Sequence, residues 1–283
     1  MKQRSIATTA GLALILALSA CGGSDKPNQG FAGPIFPAAT LLTDEQAEQF
    51  VRAPAPVQAS STPSVVAVAP TSFAGTQRQI GPPGNPSAAT LSDPPASGLY
   101  GYKITVQGDF GEESSEFAVS VEEPRTVRGG TTQTHEWQIE DFPQVFHYRF
   151  TSQRLLLERV ESTQFDGSQY DCEFDPPQVE LQLPLHVDAS WSGTSACKGD
   201  DTTSGEYSAE VIRTERVEIA GTQVDTFVVR TETTTSDGSE TIETAWYAPT
   251  VRMFVILDQE VHTATFGSFK STVEATSLTP TEG

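Results

Sequence analysis

Two hydropathy periods divide this chain. From Gly98 onward apolar residues recur at every second position. Phe117-Ala118-Val119-Ser120-Val121 alternates large and small, and Phe146, Tyr148 and Phe150 face away from Val145, His147 and Arg149. Val179, Leu181 and Leu183 alternate in the same way with Gln178, Glu180 and Gln182. A period of two is that of an extended strand with unlike faces. Longer Thr- and Val-rich runs follow at 206–219, 224–235, 240–248, 251–261 and 262–278, the composition of half-buried strands. Gly129-Gly130, Asp166-Gly167, Ala220-Gly221 and Asp237-Gly238 fall between the runs as turn signals. Phe174-Asp175-Pro176-Pro177 and Leu183-Pro184-Leu185 read as rigid corners between strands, and Pro249 ends the strand that carries Trp246 and Tyr247.

The predicted class is mainly β, with about 10–12 antiparallel strands in 98–283 and no helical repeat of useful length. That many strands must curl or split to manage their edges. Several are too long for a compact sandwich, so the expectation is a strongly curved antiparallel sheet or open half-barrel. A curved sheet also holds a groove.

The stretch before Gly98 has neither period. Gly22 to about Pro95 is rich in Pro, Ala, Ser, Thr and Gly, with runs such as Ala53-Pro54-Ala55-Pro56 and Gly81-Pro82-Pro83-Gly84. It lacks the apolar surface to offset ordering entropy and reads as a disordered tether spanning roughly 50 Å. Thr43-Asp44-Glu45-Gln46 is a capping box opening a short helix near 41–52, too short to persist unless docked. The very N-terminus is different again. Lys2 and Arg4 precede an apolar run from Ile6 to Leu18, shorter than a transmembrane helix, and Leu18-Ser19-Ala20-Cys21 closes it.

That ending resembles the bacterial prolipoprotein signal. The resemblance implies acylation of the Cys21 sulfur, cleavage after Ala20, and an anchor of two or more acyl chains. Gly22 rather than Asp follows the cysteine, so the usual inner-membrane retention signal is absent. The expected layout is therefore a cleaved signal peptide (1–20), a lipidated linker (21–97) and a β domain (98–283). Its expected place is the cell envelope, on the extracytoplasmic face of a bacterial membrane.

Charge narrows the partners. The chain carries −20, and loss of the leader takes two basic residues and no acid, leaving 15 basic against 37 acidic residues. Such a surface repels phosphate backbones and anionic headgroups, which argues against nucleic acid as a partner. Membrane attachment then depends on the lipid. Of three cysteines, Cys21 takes lipid, leaving Cys172 and Cys197 to form a disulfide in an oxidising compartment. Neither is flanked by the histidine or basic cluster that activates a thiol.

Other chemistry is sparse. Ser195-Ala196-Cys197-Lys198 has the Ser-x-x-Lys spacing of penicillin-binding enzymes, which requires one helical face; here it reads as a loop, and the companion motifs are missing. His135, His147, His186 and His262 show no metal-pair spacing. His147 reads as a solvent-facing strand histidine. Asp200, Asp201 and Glu206 form an acidic loop without the oxygen ladder of a calcium site. Trp137, Trp191 and Trp246 read as core, with an aromatic groove for sugars or lipids as the rival. The expectation is no enzyme, no catalytic residues, no metal and no cofactor.

Phe174-Asp175-Pro176-Pro177, Leu183-Pro184-Leu185, Trp191-Ser192-Gly193, Val228-Val229-Arg230-Thr231 and Thr244-Ala245-Trp246-Tyr247-Ala248-Pro249 resemble motifs of uncharacterised bacterial, often actinobacterial, secreted lipoproteins of TapB-like type. A more distant likeness is to half-barrels of LolA and LppX type. The resemblance implies a curved antiparallel sheet and brings no catalytic residues. Two functions are expected from it and from the tether: a β domain binding an apolar ligand or envelope component through residues not specified, or a structural or protein-interaction element with a packed core. The oligomeric state is not readable.

Overall fold

The computed structural model describes residues 81–86, 93–108, 111–139, 143–163, 169–198, 204–236, 238–263 and 267–282. Cys21, the rest of the leader, the 41–52 segment and Asp200–Asp201 lie outside these residues.

Among the described residues thirteen strands follow one another: β1 (Gly98–Gly108), β2 (Gly111–Val121), β3 (Arg125–Val127), β4 (Gly130–Gln138), β5 (Gln144–Phe150), β6 (Arg154–Thr163), β7 (Gln169–Gln182), β8 (Ser190–Lys198), β9 (Ser204–Ile219), β10 (Thr222–Thr235), β11 (Glu240–Ala248), β12 (Met253–Thr263) and β13 (Gly267–Ala275). All pair antiparallel in the order β2-β1-β13-β12-β11-β10-β9-β8-β7-β6-β5-β4-β3. β2 also pairs with β4, from Ala118 opposite Gln138 to Val121 opposite His135. That ladder joins the two ends of the sheet into a closed barrel of 12 strands, with β3 a short extra hairpin strand on β4.

The half-open form expected from the sequence is thus corrected to a closed one. An open sheet would leave the β2 and β4 edges with unpaired amides and carbonyls, and their pairing removes both edges. Tight turns fix the register where the sequence marks them: Ala220 and Gly221 both take positive φ (49° and 76°) between β9 and β10, the geometry of a two-residue hairpin turn.

Alternation sets the inside and outside. In β1, Tyr100, Tyr102, Ile104 and Val106 are buried while Lys103 between them is exposed. Arg159–Asp171 at 2.7 Å, Arg149–Glu158 at 2.6 Å and Lys270–Glu260 at 2.9 Å are ion pairs of half-exposed or exposed side chains. In β1 the lumen side is apolar, and these ion pairs lie among the outward-facing side chains.

Two places break this regularity. The first is the seam between β7 and β8. Only Glu173–Lys198 and Phe174–Cys197 pair there, against fourteen pairs between β9 and β10. The reason is legible: Asp175-Pro176-Pro177 sits inside β7, where proline offers no ladder donor. The expected corner between strands is instead an interruption within one strand, and the ladder to β6 shifts register close by. Side chains from β8 and β9 replace the missing bonds. Trp191 Nε1 donates to the Val179 carbonyl (2.9 Å), and the Val179 amide donates to the Tyr207 hydroxyl (3.0 Å). Gly193 makes room, since a Cβ there would lie 2.6 Å from the Tyr207 oxygen. The Cys172–Cys197 disulfide, with Cα atoms 5.0 Å apart, ties the same seam.

The second is the outward face of β9–β12. Phe227-Val228-Val229 and Ala245-Trp246-Tyr247-Ala248 are consecutive buried residues, so both faces are covered there. Val228 lies opposite Trp246 and Trp246 opposite Ile256, one outward row of apolar side chains. Segment 81–86, expected to belong to the tether, is seated on β9 beside this row. The Arg216 amide donates to the Pro82 carbonyl (3.0 Å) and the Thr214 hydroxyl to the Gly84 carbonyl (2.8 Å). A Cβ on Gly81 or Gly84 would meet β9 backbone oxygens at 2.4 and 2.7 Å, so only glycine lets the two chains approach this closely.

Candidate functional site

The seat of that segment is a buried carboxylate. Glu215 is 1 % exposed. Its Oε1 accepts the Gly81 amide (2.9 Å), and its Oε2 accepts Trp246 Nε1 (3.1 Å) and Arg213 Nε and Nη2 (3.1 and 2.9 Å). The Arg213 guanidinium also lies 5.7 Å from the Trp246 ring centroid, in cation–π range. Burial pushes the Glu215 carboxyl up, but these hydrogen bonds and the Arg213 charge outweigh it and hold the pKa below the ordinary value. Its contribution is therefore present above the unfolded carboxylate range and lost as pH falls through the lower folded value. Glu215→Ala leaves the Gly81 and Trp246 donors without their acceptor, at a cost of about 2 kcal/mol. Chemical denaturation measures the loss, and faster proteolysis at residues 81–86 reports undocking. An unchanged cleavage rate would show that Glu215 does not hold the segment.

The interior holds a different site, a cavity of about 50 Å³. That admits a few water molecules or one small group. Its aromatic wall starts from alternation on neighbouring strands. Trp137 on β4 lies 5.3 Å from Phe117 and 5.4 Å from Phe146, ring centre to ring centre, and Phe146 is 6.2 Å from Tyr148 two positions on. Tyr102 stacks on Trp137 at 6.0 Å and donates its hydroxyl hydrogen to the Phe254 carbonyl (3.0 Å). Tyr247 and Phe254 meet edge to face at 5.6 Å.

Two acids open into this aromatic space. Glu180 on β7 and Glu243 on β11 belong to strands four places apart in the sheet and meet across the barrel lumen as lining residues of the cavity. Burial pushes Glu180 up to about 7, partly opposed by the Gln178 side-chain amide that donates to it at 3.1 Å. Burial and then the Glu180 charge push Glu243 up to about 8. Glu243 is 8 % exposed, and its Oε2 has no hydrogen-bond partner among the described residues. His135 lines the same cavity, 4.9 Å from the Tyr148 ring; burial lowers its pKa to about 3, so the imidazole is neutral there. Its Nε2 pairs with Gln133 Oε1 at 3.2 Å. The only cationic side chain lining the cavity among the described residues is Arg252. It is engaged by the Pro94 carbonyl (3.2 Å) and Asp93 (3.4 Å).

The structure sorts the sequence candidates. Cys172 and Cys197 are bonded to one another. Ser195 and Lys198 lie on β8, not in a loop. Three positions apart on a strand, they face opposite ways: Ser195 is buried, while Lys198 is exposed and pairs with Glu173 at 3.0 Å. His147 is half-buried against Glu161 at 2.8 Å, His186 is exposed, and His262 bonds Ser268 at 2.7 Å. Glu206 is on β9 rather than in a loop. Trp137 and Trp191 are core, whereas Trp246 is buried on the outward face. No group of three or more His, Cys, Asp or Glu placed to hold a metal occurs among the described residues.

The sequence reading missed Glu180 and Glu243. Alternation with Val179 and Leu181 makes Glu180 a polar, outward member of its strand. It nevertheless lines the cavity, in a stretch where the ladder between β6 and β7 shifts register. For Glu243 the signal was present: it shares parity with Thr241, Ala245 and Tyr247, all buried.

No family model matches this chain, and no curated protein matches it. Among solved structures, the hypothetical lipoprotein YmcC of Escherichia coli is similar at 13 % identity, over 64 % of this chain and 86 % of its own, with a TM-score of 0.33. A provisionally assigned lipoprotein of Parabacteroides distasonis is similar at 12 % identity over 67 % and 99 %, TM-score 0.33. A provisionally assigned exported protein of YmcC-like fold from Bacteroides fragilis follows at 11 % identity over 65 % and 96 %, TM-score 0.34. Superpositions at this level transfer neither a fold nor a function.

Proposed function

We propose that this chain is a bacterial envelope lipoprotein, held by lipid on Cys21 at the extracytoplasmic face of the membrane, whose barrel binds a small molecule and performs no chemistry. Support for the location is the leader ending in Leu18-Ser19-Ala20-Cys21, together with a disulfide that suits an oxidising compartment. Support for binding is one observation: a closed barrel keeps an aromatic cavity lined by two acids, and Oε2 of one of them, Glu243, has no hydrogen-bond partner among the described residues. Unpaired buried acids cost stability, and a fold with no use for them is better served by apolar residues of similar size. Pockets that take drug-sized or lipid ligands are roughly 300–1,000 Å³. At about 50 Å³ this cavity does not seat an acyl chain, which narrows the ligand to a small one.

The small cavity also favours the second reading, a structural or protein-interaction element whose interior is essentially packed. Native mass spectrometry of the protein extracted from its own cells separates the two. A stoichiometric small molecule supports binding; a chain free of any supports the structural element. For location, Cys21→Ser is expected to move the protein from the membrane fraction to the soluble one. Retention as firm as wild type would remove the lipid anchor.

A further inference from the structure

Resting on the reading of the barrel as a binding module, we propose that its ligand is a small organic ammonium ion, held between Glu180 and Glu243 with its carbon portion against Trp137, Phe146 and Tyr148. Four features of the cavity carry this. Its lining acids outnumber its one basic side chain, Arg252, whose guanidinium is already committed to Asp93 and Pro94. Among the described residues that line it, Glu243 Oε2 has no hydrogen-bond partner, and as an ionised carboxylate oxygen it is an acceptor. Acceptors without donors call for a ligand rich in N–H groups. The walls are aromatic, and ring faces attract cations, most strongly where water is excluded. The remaining lining groups that face the acids, His135 and the tyrosine hydroxyls, are neutral at physiological pH.

The same features exclude neighbouring classes. A zwitterion or a phosphate would bring its own anion against two carboxylates. A divalent metal would need a third ligand of the His, Cys, Asp or Glu type, and no such group occurs among the described residues. A volume of about 50 Å³ limits the cation to a few heavy atoms.

The test uses the full chain and methylammonium as the probe, with methanol as its neutral counterpart at matched ionic strength, followed by calorimetry and tryptophan fluorescence. At pH 9, methylammonium is expected to give a saturable response. Methanol is expected to give none. The response should weaken at least tenfold at pH 6, where both acids take up protons that the cation must displace. Glu243→Gln, which keeps the side-chain shape, should abolish it, whereas the exposed Glu116→Gln should leave it intact. Equal binding of methylammonium to wild type and Glu243→Gln overturns the assignment. Methanol bound as well as methylammonium overturns the cation class and leaves the binding module standing. No response to either probe, with no small molecule on the protein extracted from cells, overturns both; no response together with a neutral co-purified molecule overturns the ammonium assignment alone.

Discussion

Stability of the barrel is expected to peak near pH 5 and to fall as the pH rises toward 8, and Glu243→Gln is expected to remove much of that fall. The cause is the pair of acids in the lumen. A carboxyl whose folded pKa is raised binds its proton more tightly in the native state than in the unfolded chain. The stability it contributes is complete below its unfolded value of 4.5 and is lost as pH rises through its folded value, about 7 for Glu180 and about 8 for Glu243. His135 works in the opposite sense. Its folded pKa of about 3 lies below the ordinary 6.5, so it costs stability as the pH falls rather than as it rises. The depressed values of Glu215, Asp171 and Asp225 add to the acid-side loss. The groups facing the two acids are His135, Tyr102, Tyr148, Tyr207, Tyr247 and Arg252. The tyrosines stay protonated throughout this window, their hydroxyls raised by burial. Two raised acids outweigh one histidine above pH 4.5. Glu243→Gln should therefore be more stable than wild type by about 3 kcal/mol at pH 8 and nearly equal to it at pH 4.5. Urea unfolding at several pH values measures this. A variant gain independent of pH would mean that Glu243 is already charged or solvated in the fold.

Removing the Cys172–Cys197 bridge is expected to cost about 3.5 kcal/mol, from the chain entropy of releasing a 25-residue loop in the unfolded state. The loss should be local before it is global. β7 and β8 share two ladder pairs, and the other ties across the seam include the Trp191 and Tyr207 bonds to Val179 and the exposed Lys198 pairs with Glu173 and Asp175. Hydrogen exchange in the double variant Cys172→Ser/Cys197→Ser should rise first at 172–182 and 190–198, while β9–β10, with fourteen pairs, stays protected. Uniform exchange around the barrel would show that the seam is no weaker than the rest.

Much of the β architecture was legible because alternation is a local property. The bounds of β11, Glu240–Ala248, coincide with the run marked in the sequence, and β9 and β10 begin two residues earlier than expected. The turn at Ala220-Gly221 was equally local, since few residues tolerate positive φ. The Cys172–Cys197 disulfide follows the expectation set by the cysteine count. What failed were readings in which one strand's meaning depends on another. Gly81-Pro82-Pro83-Gly84 has the composition of a linker, and its docking rests on a carboxylate 134 positions away. Pro176 and Pro177 looked like a corner, but neighbouring side chains let β7 continue past them.

Sequence alone determined the period, the strand content and the pairing of Cys172 with Cys197, because each follows from backbone geometry or residue chemistry rather than from the arrangement of the whole sheet. Tertiary structure decided closure, since four pairs between β2 and β4 depend on the accumulated curvature of every strand between them. It decided the candidate site for the same reason. Glu180 and Glu243 are 63 positions apart and on strands that never pair, and only a closed barrel brings both to one lumen.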